Sequence, residues 1–314
     1  PIMPSILLNG ILDIFNLKAV SGSIPSDNKG SPHVKLTKPY HVLLAEDNKT
    51  NQLIAGTLLK QVGIEAIIAN DGKEAVEQYQ EHKDSIDLIL MDLHMPVMNG
   101  YEAAERIRRI SADVPIVAMT ADVVLGVRNR CEQSGIFHYI SKPFNPDHFI
   151  QTVIDIILDN EAKSEKDADT NSEKVADINN EPKISNEPEI KKESDIAQGT
   201  AVLDQQLGLK NMGGSKELYL QVLSEYHKEN QDTLDKLKAV IQEKRYADAA
   251  QIVHKVKSSS GSIGATALYN AAMSLQKALN EEAEKEIEAL HDRFAKLLGR
   301  LLEEIREGRG HDAD

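Results

Sequence analysis

The sequence predicts an α/β domain on a doubly wound parallel sheet, followed by a separate all-α bundle. Three observations carry this. Short apolar strands alternate with helical patterns from 40 to 158, apolar residues thin out from 159 to 200, and long amphipathic runs fill 201–307. Near-continuous apolar strands joined by helices mean a parallel sheet covered on both faces.

The elements follow in order. Residues 1–17 read as a helical stub, and 18–39, rich in Ser, Gly, Pro and Lys, as a linker. The five strands are "HVLLAED", "IEAIIAN", "IDLILMD", "VPIVAMTA" and "IFHYIS". The five helices are "NQLIAGTLLKQV", "KEAVEQYQEH", "GYEAAERIRRI", "VVLGVRNRCEQS" and "PDHFIQTVIDIIL". Residues 159–200 hold no aromatic residue and too few apolar ones to offset chain entropy, so they are expected to be a disordered acidic tether. Residues 201–307 read as a small helical bundle and 308–314 as a tail.

Bulk composition narrows the function. The 314 residues carry a formal net charge of −14, which argues against nucleic-acid binding, since that needs a basic stripe. A lone cysteine, Cys131, forms no internal disulfide and suggests a reducing, cytoplasmic setting. The apolar opening is interrupted by Asn9, Gly10 and Asp13, so neither a signal peptide nor a membrane span is expected there.

The strand ends concentrate chemistry. Glu46 and Asp47 follow strand one, Asp92 ends strand three, Thr120 ends strand four and Lys142 follows strand five. In an open parallel sheet these positions share one crevice. Carboxylates about 4 Å apart repel by roughly 4 kcal/mol per pair at an effective dielectric near 20. A hard divalent cation such as Mg²⁺, with the Lys142 ammonium, offsets that. Cation, lysine and hydroxyl together suit a phosphoryl group in transit, with Asp92 as acceptor. Taken singly, each of these residues reads as a helix cap or a turn.

"LLAEDN", "LILMDLHMPVMNGYEA", "IVAMTA" and "YISKPF" resemble the CheY-like receiver, or response regulator, domain over about 40–157. The resemblance implies the strand order 2-1-3-4-5 and phosphorylation of Asp92. It implies Mg²⁺ held by Glu46, Asp47, Asp92 and the backbone carbonyl of His94. It assigns Thr120 and Lys142 to the phosphoryl oxygens and Tyr139 to a switch coupled to Thr120. Ala121 would leave the entry path open, and His94 and Asp122 would tune dephosphorylation. A haloacid-dehalogenase-type phosphatase would want a second Asp where His94 stands.

A second site centres on "HKVKSSSGSIGA", 254–265. Ile252, Val256, Ser259 and Ile263 form a core-facing stripe, and His254 lies about 200° around the helix from Val256. His254 is therefore expected to point outward. Lys257 and Ser258 share its face, with Gly261 a turn further on. That suits a nucleophile whose phosphorylated form Lys257 stabilises, on a surface kept flat for a partner. The stretch resembles the Hpt (histidine phosphotransfer) domain over about 201–305. This implies a phosphorylated His254 on an up-down four-helix core with a short leading helix.

The opening "PIMPSILLNGILDIF" aligns with "PFNPDHFIQTVIDII" at 143–157, with Pro1, Pro4, Asp13 and Ile14 over Pro143, Pro146, Asp155 and Ile156. It is expected to be the last helix of a preceding receiver. The parent would be a hybrid histidine kinase, a dimer for which an anchor in the inner membrane is allowed. Phosphate is expected to pass from an upstream kinase histidine to Asp92, then to His254, then to an external response regulator; reverse flow is equally allowed. ATP-binding kinase boxes are missing. The alternative is a non-phosphorylated scaffold with a pseudo-receiver.

Overall fold

The computed structural model describes residues 36, 38–121, 125–169 and 202–311. The stub at 1–17, nearly all of the 18–39 linker, Asp122 and most of the expected tether lie outside them.

Five strands, β1 (Tyr40–Ala45), β2 (Ile64–Ala69), β3 (Leu88–Asp92), β4 (Ile116–Thr120) and β5 (His138–Ser141), form one parallel sheet in the order 2-1-3-4-5. The helices are α1 (Lys49–Gln61), α2 (Gly72–His82), α3 (Gly100–Arg108), α4 (Leu125–Gln133) and α5 (Pro146–Asp169). Because side chains alternate along a strand, the sheet has two apolar faces. Val42, Leu44, Leu88, Leu90, Val117 and Met119 pack with α1 and α5, whereas Leu43, Ile89, Met91, Ile116 and Ala118 pack with α2 and α3. The chain can therefore cover both sides and leave only the strand ends open for chemistry.

The second half is all helical: α6 (Gln205–Asn211), α7 (Lys216–Asn230), α8 (Thr233–Gln242), α9 (Tyr246–Ser260), α10 (Thr266–Asn280) and α11 (Glu284–His311). Gly213 and Gly214, both at positive φ, make the turn between α6 and α7, where other L residues would be strained. The core of this bundle, from Val222 and Tyr226 to Leu275 and Leu301, is continuous with the α1/α5 side of the sheet. The two halves are thus docked.

Two boundaries move. α5 continues to Asp169, past the expected limit at 158. Its extension, "DNEAKSEKDAD", is made largely of good helix formers with no Gly or Pro to stop it. α11 likewise runs to His311, through most of the expected tail.

Candidate functional site

Each strand of the sheet's centre and open edge delivers one group to the crevice. Glu46, Asp92, Thr120 and Lys142 are all buried, at 1%, 2%, 1% and 4% exposure, which polar groups tolerate only when paired. Lys142 Nζ lies 2.6 Å from both Glu46 Oε2 and Asp92 Oδ2. The His94 N–H donates to Asp92 Oδ1 at 3.0 Å. The Lys142 N–H donates to the Thr120 carbonyl at 2.8 Å, tying the lysine to the end of β4. The loop after β3 is held close by Gly100, where a Cβ would run into the backbone oxygen of Asp92.

One ammonium shared between two buried carboxylates sets their acidities apart. Burial pushes Glu46 up to about 8, against the pull of Lys142. Burial would also raise Asp92, but Lys142, His254 and the His94 amide outweigh it and hold Asp92 below the usual carboxylate range. Burial opposes the charge on Lys142, yet Asp92 and Glu46 raise its pKa. Asp92 therefore keeps the negative charge.

Asp47 completes an acidic cluster, its carboxylate oxygen within 4.8 Å of those of Glu46 and Asp92. Three hard oxygen donors at that spacing fit a hard divalent cation. Positive charge is already drawn to the spot, because Lys255 of α9 reaches across to Asp47 Oδ2 at 2.6 Å.

The docked face of the bundle corrects one expectation. His254 does not point into solvent: it is 9% exposed, and Lys257 and Ser258 are 2% and 4% exposed. Helical periodicity located the bundle's own core, but the opposite face of α9 is covered by the receiver. The His254 and His94 rings lie 4.8 Å apart, and Asp92, His94 and His254 each place a ligand atom within 4.8 Å of the others. Burial holds His254 down to about 4, the largest opposing influence being Asp92. Its imidazole is neutral at pH 7 and able to act as a nucleophile. Gly261 abuts Pro143, where an added Cβ would lie 3.3 Å from the ring.

Tyr139 pairs with Ala118 on β4, two residues from Thr120. Its hydroxyl donates to the Ile136 carbonyl at 3.3 Å, and burial pushes its pKa up to about 12.

Four residues were missed in the sequence. Asn51 donates to Glu46 Oε1 at 3.0 Å and to Ser258 Oγ at 2.7 Å. Gln276 of α10 contacts His254 Nδ1 at 3.1 Å, Lys255 pairs with Asp47, and Glu229 meets the start of α1. Only Asn51 left a trace: Thr50, Asn51 and Gln52 are three consecutive polar residues at the start of a helix that packs into the core.

Residues 42–154 match the response regulator receiver domain model, and residues 221–308 match the Hpt domain model. The chain carries a receiver domain followed by an Hpt domain, the paired parts of a phosphorelay. It is 43% identical over 115 residues to hybrid signal transduction histidine kinase I of Dictyostelium discoideum, which covers 34% of this chain and 7% of that protein. It is 30% identical over 136 residues to the sensor histidine kinase RcsC of Salmonella typhi, covering 43% of this chain and 14% of that one. Among solved structures, the receiver domain of the Pseudomonas aeruginosa PAO1 sensor histidine kinase PA1611, with magnesium coordinated in its active site cleft, is 34% identical, covering 38% of this chain and 98% of that one at a TM-score of 0.36. The chain thus spans a small part of the kinases it matches. No described helix is long and apolar enough to cross a membrane.

Proposed function

We propose that the chain passes a phosphoryl group between Asp92 and His254. The observation that carries this is their juxtaposition: an ionised carboxylate and a neutral imidazole within 4.8 Å, walled off from water between two domains. Near-attack approach of about 3 Å plus one P–O bond spans such a gap.

The residues divide the work. The P–O bond to Asp92 breaks as a P–N bond to His254 forms, and the carboxylate leaves with its electron pair beside Lys142. Thr120 and Lys142 hold phosphoryl oxygens, and Lys257 steadies the phosphorylated imidazole. The nucleophilic nitrogen must lack a proton. The Gln276 amide nitrogen faces Nδ1 at 3.1 Å; turning the amide to present its oxygen there would hold the proton on Nδ1 and leave Nε2 as that nitrogen. Glu46, Asp47, Asp92 and the His94 carbonyl are the residues that would hold Mg²⁺, which supplies charge neutralisation for the phosphoryl oxygens. Thr120 and Tyr139 form the switch pair.

The kinases that the chain matches support a wider reading. The parent is a dimeric hybrid histidine kinase acting in the cytoplasm; its catalytic histidine feeds Asp92, and His254 feeds the receiver of a separate response regulator.

The test is labelling of the full chain by a small phosphodonor with Mg²⁺, in wild type, Asp92→Asn and His254→Gln. Acid-labile, base-stable label on His254 that requires Asp92 is the expected result. Label on neither residue overturns the relay in favour of a scaffold.

A further inference from the structure

The last turn of α7 carries Glu229 against the usual electrostatics. A helix C-terminus has partial negative charge, so a carboxylate there disfavours its own helix, whereas His227 and Lys228 beside it have the favoured sign. The Glu229 carboxylate instead faces the opposite kind of terminus. It accepts from the backbone N–H groups of Lys49 at 2.6 Å and Thr50 at 3.0 Å, and from the Thr50 hydroxyl at 2.6 Å.

Lys49 and Thr50 open α1, whose first turn holds no acidic residue. The receiver caps the rest of this turn itself: Asn48 Oδ1 accepts from the Asn51 N–H and the Asn48 carbonyl from the Gln52 N–H, both at 2.9 Å. Of the N–H groups of Lys49, Thr50 and Asn51, which have no intrahelical partner, the receiver satisfies one and Glu229 takes the other two.

We propose that Glu229 is a specificity-determining residue of the Hpt docking face, selecting receivers by the start of their first helix. The partner it accepts offers two uncapped N–H groups, a small hydroxyl at the second helical position and no acid in the first turn. A receiver with Asp or Glu there would set carboxylate against carboxylate and be refused. The same requirement falls on any external receiver that approaches His254. This rests on the relay reading, since it names which receivers can exchange phosphate with His254.

The test uses the full chain, with amide hydrogen exchange at Lys49, Thr50 and Gln52 alongside label transfer. Glu229→Gln should lower protection at Lys49 and Thr50 about tenfold, the usual worth of a charge-assisted hydrogen bond, and Thr50→Val severalfold. Gln52, bonded within the receiver, should keep its protection. Lys49→Glu should slow transfer when Glu229 is present and add nothing in the Glu229→Gln background. Unchanged protection in Glu229→Gln, or equal loss at Gln52, overturns the assignment even if transfer proceeds. Label that never reaches His254 in wild type, with protection still dependent on Glu229, overturns the relay and leaves the docking role standing.

Discussion

The side-chain amide of Asn51 donates to Ser258 Oγ at 2.7 Å across the domain junction, while the same nitrogen lies 3.0 Å from Glu46 Oε1. One residue thus ties the acidic crevice of the receiver to the helix that carries His254. Asn51→Ala should loosen the dock by about 1–3 kcal/mol, because it strands a buried acceptor as well as removing bonds. Ser258→Ala should cost less, about 1 kcal/mol, since Glu46 keeps its donor. Hydrogen exchange across α9 in the full chain measures both, and a smaller loss in Asn51→Ala than in Ser258→Ala would contradict this account.

Docking should weaken in acid through His254. Its pKa falls from 6.5 to about 4 chiefly through burial, with Asp92 opposing and His94, Lys257 and Lys142 reinforcing. Above pH 6.5 both docked and exposed forms are neutral and nothing changes. Between about 6.5 and 4 the exposed form takes up a proton that the docked form refuses, so stability is lost as pH falls through that window. The loss reaches at most about 3 kcal/mol. The chain has no tryptophan, so denaturation followed by circular dichroism is the suitable measurement. The pH slope should flatten in His254→Gln, which removes this contribution and keeps that of the carboxylates.

Gln276 is a positioning residue. Gln276→Ala should leave labelling of Asp92 unchanged and slow its passage to His254 about tenfold, because the ring loses the partner that sets its tautomer. Nitrogen-15 NMR of the imidazole should show a changed tautomer population. An unchanged tautomer with slow transfer would mean that Gln276 acts through packing instead.

The loop after β3 makes opposite predictions at two of its residues. Val97 sits at φ 64 in a tight turn closed by the Met98 N–H on the Pro96 carbonyl at 2.6 Å, a strained conformation for a β-branched residue. Val97 is 81% exposed, so Val97→Gly removes strain at little packing cost and should raise stability by about 1 kcal/mol. Gly100→Ala should destabilise by about 1–3 kcal/mol and impair labelling, since its Cβ displaces the Asp92 backbone. Thermal unfolding of both variants decides the signs.

The receiver's chemistry was legible because it is built at strand ends. Apolar runs mark β1, β3 and β4, and whatever polar residue ends each run must face the same crevice. Glu46, Asp92, Thr120 and Lys142 could thus be placed together from their positions alone, and the structure brings them together. Asp92 in "LILMD" needs no tertiary information to be located; its greater acidity relative to Glu46 does, because that depends on how one ammonium is shared.

What the sequence determined by itself was the order of elements, the sheet's two apolar faces and the identity of the two candidate phosphate carriers, since these follow from local periodicity and from residue types in fixed spacing. What only the tertiary structure decided was the docking of α9 on the receiver. The turn that buries His254 and Lys257, the reach of Lys255 to Asp47, and the capping of α1 by Glu229 all join segments of the receiver to segments of the bundle. Periodicity reports which face of a helix meets its own domain's core; it carries no signal for a second face covered by another domain through polar contacts.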